Sequence, residues 1–402
     1  MTGTTMEPDP AQLRGTWHFP TTIWFGAGKI SLLARAGFEL GMSRPLLVTD
    51  PGLASTPMTE DAIDANGEAG LPTTLFSAIK PNPTGRNIAD GVAALRAHGC
   101  DGVIAFGGGS ALDAGKTIAL VGAQRPEGVG LWGFEDGRKD WRNAEPPLPV
   151  VGVPTTAGTG SETGRAAVVV DEAAQRKVIV SHPAMMPKIV IADPALTVGL
   201  PANLTAWTGM DALAHCLEAW CSPFHNPFCD GIALEGMRLV AEFLPRAVAD
   251  GGDLAARAQM LAVASMGSTA FQKGLGAIHA MSHPIGAHYD THHGLTNAVV
   301  MPYVLVFNRP AVEEKLARLA AYLGLPADRG SGFDSVLDWV LGLRDRFAIP
   351  HTLADLGVRT DDLDALAEAA AQDPTAASNP VPLDVAALRT LFGHAWSGAL
   401  AR

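Results

Sequence analysis

Residues 102–119 read Gly102-Val-Ile-Ala-Phe-Gly107-Gly108-Gly109-Ser110-Ala-Leu-Asp113-Ala-Gly-Lys116-Thr-Ile-Ala119, an apolar run, a glycine turn and a helix-compatible segment in direct succession. Six apolar or small residues bounded by glycine predict a buried strand, and the segment after Ser110 predicts a helix. Three glycines let the backbone approach a phosphate closely, and the N–H groups at a helix start attract the anion. The run is neither GxGxxG nor a Walker A sequence, so a tight strand-to-helix turn is the competing reading. On either side the same texture recurs. Pro45–Asp50, Val150–Val153 and Lys188–Asp193 read as further buried strands, and Asn87–His98 has the apolar spacing of a helix. Strands that are continuously apolar and alternate with helices predict a mostly parallel α/β sheet.

After Pro194 the texture changes to long Ala/Leu-rich segments, and residues 205–220, 227–249, 253–273, 311–323, 333–347 and 361–371 all read as helices. The expected organisation is therefore a loose polar tail over 1–15, an α/β domain over 16–197 and an all-helical domain over 198–402. Pro284 is expected to end or kink any helix running through His283.

The 402 residues carry a formal charge of −12, with 47% hydrophobic and 17% charged residues. That balance fits a globular protein and argues against nucleic acid or anionic membranes as partners, both of which demand a basic surface. Cys100, Cys216, Cys221 and Cys229 form no CxxC motif and imply no disulfide framework. The first ten residues have neither a basic nor an apolar region of a secretory leader, and no apolar run is long enough for a membrane span, so a soluble cytoplasmic protein is expected.

Two more features belong to the α/β half. Asp50 ends a strand, where a carboxylate can bond both ribose hydroxyls of an adenosine and repel a 2′-phosphate, favouring NAD over NADP. A helix cap is the plainer role for such a residue. Pro154-Thr155-Thr156-Ala-Gly158-Thr159-Gly160-Ser161-Glu162 follows the strand at 150–153 and would suit the phosphates and ribose of a dinucleotide.

The helical half carries a different chemistry. Five histidines fall between 279 and 293 (His279, His283, His288, His292 and His293) out of twelve in the chain. Asp211 and His215 stand four apart, hence on one helix face. Imidazole nitrogens with one carboxylate oxygen suit a borderline divalent ion such as Fe²⁺ or Zn²⁺. Ala280 occupies the place of the general base in an HExxH metalloprotease, which disfavours that class. The residues alone leave open which histidines bind.

Together these motifs resemble the iron-containing (group III) alcohol dehydrogenase family. The matching pieces are GGGSALDAGK (Gly107–Lys116), PTTAGTGSE (Pro154–Glu162), Asp211-x-x-x-His215, and the segment from His279-x-x-x-His283-Pro to His293-Gly294. Trp24-Phe-Gly-Ala-Gly28 and Pro81-Asn82-Pro-Thr84 look like the family too. The resemblance spans roughly residues 20 to 310. It implies a dinucleotide-binding α/β domain followed by a helical domain, in a dehydroquinate-synthase-like architecture, and a homodimer or larger homo-oligomer. It implies Asp211, His215, His279 and His293 as ligands of one divalent metal, Fe²⁺ ahead of Zn²⁺, and His283 as a proton-relay group near the nicotinamide. Asp50, Asn82, Gly108, Gly109, Ser110, Asp113, Thr155, Thr156, Thr159 and Lys177 fall at NAD-contacting positions.

Arg165, His288 and His292 depart from the pattern and are candidates for contact with substrate, Arg165 as a clamp for an anion. The expected activity is metal-dependent, NAD(H)-linked interconversion of a primary alcohol and its aldehyde. The alternatives are reduction of an acidic oxo-substrate (a semialdehyde or a maleylacetate-like compound), a glycerol-dehydrogenase-like polyol enzyme and a dehydroquinate-synthase-like lyase.

Overall fold

The computed structural model describes residues 15–17, 21–138, 140–174, 176–326 and 331–400. Most of the expected tail, residues 1–14, lies outside the described residues, and Gly15 already opens a strand. The chain forms two compact units. One comprises Met1–Ala174, Val178–Leu200 and Asp250–Ala262, the other Gln175–Lys177, Pro201–Ala249 and Val263–Arg402.

The first unit is built on a seven-stranded sheet. In chain order the strands are β1 (Gly15–Trp17), β2 (Thr22–Phe25), β3 (Pro45–Val48), β4 (Thr74–Phe76), β5 (Gly102–Gly107) and β6 (Val150–Pro154). A hairpin, β7 (Ala166–Asp171) and β8 (Arg176–Ser181), precedes β9 (Ile189–Ala192) and forms a separate two-stranded sheet. The main sheet runs β1-β2-β9-β6-β5-β3-β4, all parallel except the β1–β2 pair. Its helices are α1 (Leu33–Glu39), α2 (Pro51–Ala54), α3 (Pro57–Glu68), α4 (Gly85–Ala97) and α5 (Gly109–Gly122).

The apolar runs read as strands are buried on both faces. Leu46, Val48, Val103 and Ala105 join one core with Ile88, Leu112 and Ile118, while Leu47, Ile104, Phe106 and Val153 join another with Leu33 and Leu71. Two buried faces explain why these strands show no polar alternation. The sheet is the mostly parallel one expected, but β1, β2, β4 and the β7–β8 hairpin were not foreseen.

The second unit is helical: α6 (Ala202–Cys221), α7 (Pro227–Ala249), the later residues of α8 (Leu254–Ala270), α9 (Ala277–Tyr289), α10 (His293–Leu323), α11 (Gly332–Arg346), α12 (Leu363–Ala371) and α13 (Val385–Ser397). Pro284 lies inside α9, and α10 contains both Pro302 and Pro310. The helix expected only from 311 therefore begins at His293. Each proline removes one N–H donor, but Ala277–His283 and Thr296–Leu305 are buried throughout, so tertiary packing outweighs the missing bonds. No described helix is long and apolar enough to cross a membrane.

Candidate metal centre and cofactor loops

Asp211 and His215 lie one turn apart on α6, with side chains 4% and 3% exposed. His279, in the first turn of α9, is 2% exposed. His293 is the first residue of α10, placed there by the turn through Asp290, Thr291 and His292 that separates α9 from α10. The four side chains converge. Oδ1 of Asp211 lies 3.8 Å from Nε2 of His215, 3.9 Å from Nε2 of His279 and 3.6 Å from Nε2 of His293. The ligand atoms of Asp211, His215 and His279 all lie within 4.8 Å of one another. Bonds of about 2.0–2.2 Å to a divalent ion imply neighbouring donors roughly 3–3.5 Å apart, so a small contraction closes these three, with His293 beside them through its contact with Asp211. Three imidazoles and one carboxylate are the donors a borderline ion prefers, and the residues fit such an ion. The side chain of His293 is 28% exposed, so the group opens on that side.

Sequence reading missed Asn297, one turn after His293 on α10. Its amide donates to Asp211 Oδ1 at 2.7 Å and lies 3.2 Å and 3.4 Å from Nε2 of His293 and His279. It also missed Glu218, one face-repeat after Asp211 and His215 on α6. A Glu218 oxygen sits 2.5 Å from Nδ1 of His279. Burial opposes a charge on that ring, and the carboxylate outweighs it, so His279 titrates above the ordinary imidazole value. Burial, and then the positive neighbours His279 and Lys177, hold His293 well below that value.

His283, one turn after His279, stacks on His293 with ring centroids 5.5 Å apart. Its Nδ1 meets Oδ2 of Asp373 at 2.7 Å, while Oδ1 of Asp373 accepts from the backbone and hydroxyl of Thr375 at 2.9 and 2.6 Å. Burial disfavours the Asp373 carboxylate, yet His283 and Thr375 hold its pKa below the ordinary range. A cavity of about 310 Å³ is lined by His283, Asp373, His288, Gln372, Arg176 and Lys177 among others. His288 is therefore at a cavity wall, with Nε2 3.7 Å from Asp362. His292 caps α10, its Nδ1 accepting from Leu295 N at 3.4 Å, and its ring lies against Trp207 at 5.1 Å. Arg165, in the other unit, is exposed.

In the first unit the two small-residue loops follow adjacent parallel strands, with Gly107 of β5 in register with Pro154 of β6. A Cβ on Gly108 would meet the Thr156 side chain at 3.3 Å, and one on Gly109 would collide with Thr159. At Gly109 a side chain would force Thr159 to move, which glycine avoids. The chain leaves β3 towards β4 on one side and returns as β5 on the other, and open α/β sheets bind ligands beyond the strand ends at such a reversal. Asp50 stands beyond β3 there, with Oδ1 accepting from Leu53 N at 3.0 Å as the cap of α2. Ser110 donates to the carbonyl of Pro81, beside Asn82. Thr155 is buried, its N–H on Gly107 O at 3.0 Å. Asp113 faces inward: one oxygen accepts from the Ser161 hydroxyl and the other from Val168 N at 2.8 Å.

Cys216 and Cys221 are buried, and burial pushes both thiols up to about 12. Since the thiolate is the reactive form, neither thiol is poised for oxidation.

The description "Iron-containing alcohol dehydrogenase" matches residues 20–194, and "Fe-containing alcohol dehydrogenase family, C-terminal" matches residues 205–396. The chain is 38% identical over 384 residues to 4-hydroxybutyrate dehydrogenase of Cupriavidus necator, covering 93% of this chain and 98% of that one. It is 36% identical to the NAD-dependent methanol dehydrogenase of Bacillus methanolicus, covering 90% and 95%. The crystal structure of a 1,3-propanediol oxidoreductase superposes with a TM-score of 0.88 at 35% identity, covering 93% and 97%.

Proposed function

The chain belongs to the iron-containing alcohol dehydrogenase family, and from that membership we propose that it interconverts a primary alcohol and its aldehyde by hydride transfer to and from NAD. The observation that carries the reading is the convergence of three histidine Nε2 atoms on one oxygen of Asp211, open on the side of His293. Asp211, His215, His279 and His293 would hold a divalent ion, with Fe²⁺ preferred to Zn²⁺. Such an ion supplies a Lewis acid to the substrate oxygen, and NAD supplies the hydride chemistry. The rest falls to the chain itself. Gly108, Gly109 and Ser110, with Thr155, Thr156 and Thr159, offer backbone and hydroxyl donors to a pyrophosphate. His283, oriented through Nδ1 by Asp373, is the group we assign to carrying the hydroxyl proton away.

Asp50 is assigned to NAD selection, its carboxylate repelling a 2′-phosphate. Asp50→Ser keeps an oxygen to cap α2 and removes the charge. Its preference for NAD over NADP, as the ratio of kcat/KM values, is expected to fall by about tenfold or more, because each 1.4 kcal/mol of lost discrimination is tenfold. An unchanged ratio would reject the assignment.

A second reading concerns the substrate. Arg176 and Lys177 line the cavity beside His283, and one relative is a 4-hydroxybutyrate dehydrogenase. Both favour an alcohol with a carboxylate at its far end, held by those cations rather than by Arg165. The experiment for both readings is a panel of plain, hydroxylated and carboxylated primary alcohols with NAD, following NADH absorbance after loading with Fe²⁺ or Zn²⁺. NADH formation with none of them would reject the dehydrogenase reading. A plain alcohol outpacing its carboxylated counterpart in kcat/KM would reject only the acidic one.

A further inference from the structure

We propose that Glu218 is a positioning residue that fixes His279 as a metal ligand through Nε2, and that it does so with the same carboxylate that closes the start of α9. The inference rests on the metal reading of the site given above. Asp211, His215 and Glu218 occupy positions i, i+4 and i+7 of α6, a single face. Two of them face the donor centre, and the third reaches behind His279. One oxygen of Glu218 meets His279 Nδ1 at 2.5 Å, and the other accepts from the backbone N–H of Ile278 at 2.7 Å. Glu218 is 5% exposed and His279 2%, so water is not a substitute partner.

An ionised carboxylate only accepts hydrogen bonds. Against it Nδ1 must carry the proton, which leaves the Nε2 lone pair facing Asp211, His215 and His293. A carboxylate behind a ligating imidazole fixes the ring's orientation and raises its basicity as a donor. The start of α9 is built around this contact. Gly276 precedes the helix and has no side chain to cap it, and a Cβ there would meet Glu218 at 3.1 Å and Asn379 at 2.7 Å. Glu218 takes the N–H of Ile278, and Asn379 takes that of Ala277 at 3.0 Å. Asn379 is also held to Asn308 by a reciprocal pair of amide bonds, 2.7 and 3.0 Å. Two side chains thus cap one helix, but only Glu218 touches a ligand.

That difference supplies the test. The metal-depleted full-length chain is titrated with Zn²⁺ against a chromophoric chelator, and each variant's melting temperature is measured alongside. Glu218→Gln keeps the size, and its amide turned towards Nδ1 would favour the wrong tautomer. It is expected to bind Zn²⁺ about 10–100-fold more weakly. Asn379→Ala removes the other cap and should lower the melting temperature while leaving Zn²⁺ affinity within about threefold. Equal affinity for Glu218→Gln and the parent chain overturns the proposal, as does an Asn379→Ala loss as large as that of Glu218→Gln. If Glu218→Gln does not fold, Glu218→Asp carries the test: its shorter arm keeps the charge but draws back from the ring, and unchanged affinity overturns the assignment. A parent chain that takes up no Zn²⁺ rejects the metal reading itself, a result distinct from the other two.

Discussion

Asp211→Ala is expected to lower turnover at least about 10³-fold, and addition of Fe²⁺ or Zn²⁺ should not restore it. The carboxylate is the common neighbour of all three histidine nitrogens, and it also holds the Asn297 amide. Its removal leaves three neutral donors and a buried amide that has lost its acceptor. A Lewis acid at the substrate oxygen is worth several kcal/mol, and about 4 kcal/mol corresponds to 10³ in rate. Exhaustive chelation of the parent chain should have a matching effect, reversed by adding the ion back. Turnover that survives both the substitution and chelation would refute the metal assignment. His279→Ala should behave alike, whereas His288→Ala, at the cavity wall, should chiefly alter KM.

The second large effect concerns stability rather than chemistry. Lys116 has no exposed surface, and its ammonium donates to the carbonyls of Ser161 at 2.8 Å, Gly164 at 3.1 Å and Ala166. Asp113 lies 3.6 Å away. Burial depresses the lysine's pKa, against the pull of Asp113 and Glu162. Because Asp113 also binds Ser161 and Val168, the pair pins residues 161–168 to α5. Lys116→Met fits the volume but leaves the carbonyls without their donor and a buried carboxylate without its counter-charge. Breaking one side of a buried pair typically costs about 3–5 kcal/mol, a large share of the roughly 5–15 kcal/mol that keeps a protein folded. Urea unfolding should show that loss. A change below about 1 kcal/mol would show that the charge is dispensable there.

These two sites mark what the sequence revealed and what it hid. The strands β3, β5, β6 and β9 were legible because burial on both faces leaves an uninterrupted apolar run. Asp211 and His215 were legible because i, i+4 spacing is local. The helices α9 and α10 were obscured by their prolines, since local propensity counts a missing hydrogen bond and cannot see the packing that offsets it. Asn297 and Glu218 had a signal, one and two turns along the helix faces of His293 and Asp211, that becomes meaningful only once a centre is known to lie there. Asp373 had none, because its tie to His283 spans 90 residues of chain. Asp113 shows a different limit. The resemblance set it among cofactor-contacting positions, and in the fold its oxygens also accept from Ser161 and Val168, a structural role that no spacing encodes.

The four candidate ligands come from three helices, α6, α9 and α10, and meet only after those helices have packed. An ion held by all four therefore binds the folded chain more tightly than the unfolded one, whose local histidines can still hold it weakly. Saturation then becomes a contribution to conformational stability, at most about 2.7 kcal/mol when the free ion stands at a hundred times its dissociation constant. Metal starvation would thus do more than silence the enzyme. It would shift the helical unit towards unfolding and shorten the lifetime of the chain, coupling protein abundance to ion supply with no regulator beyond mass action.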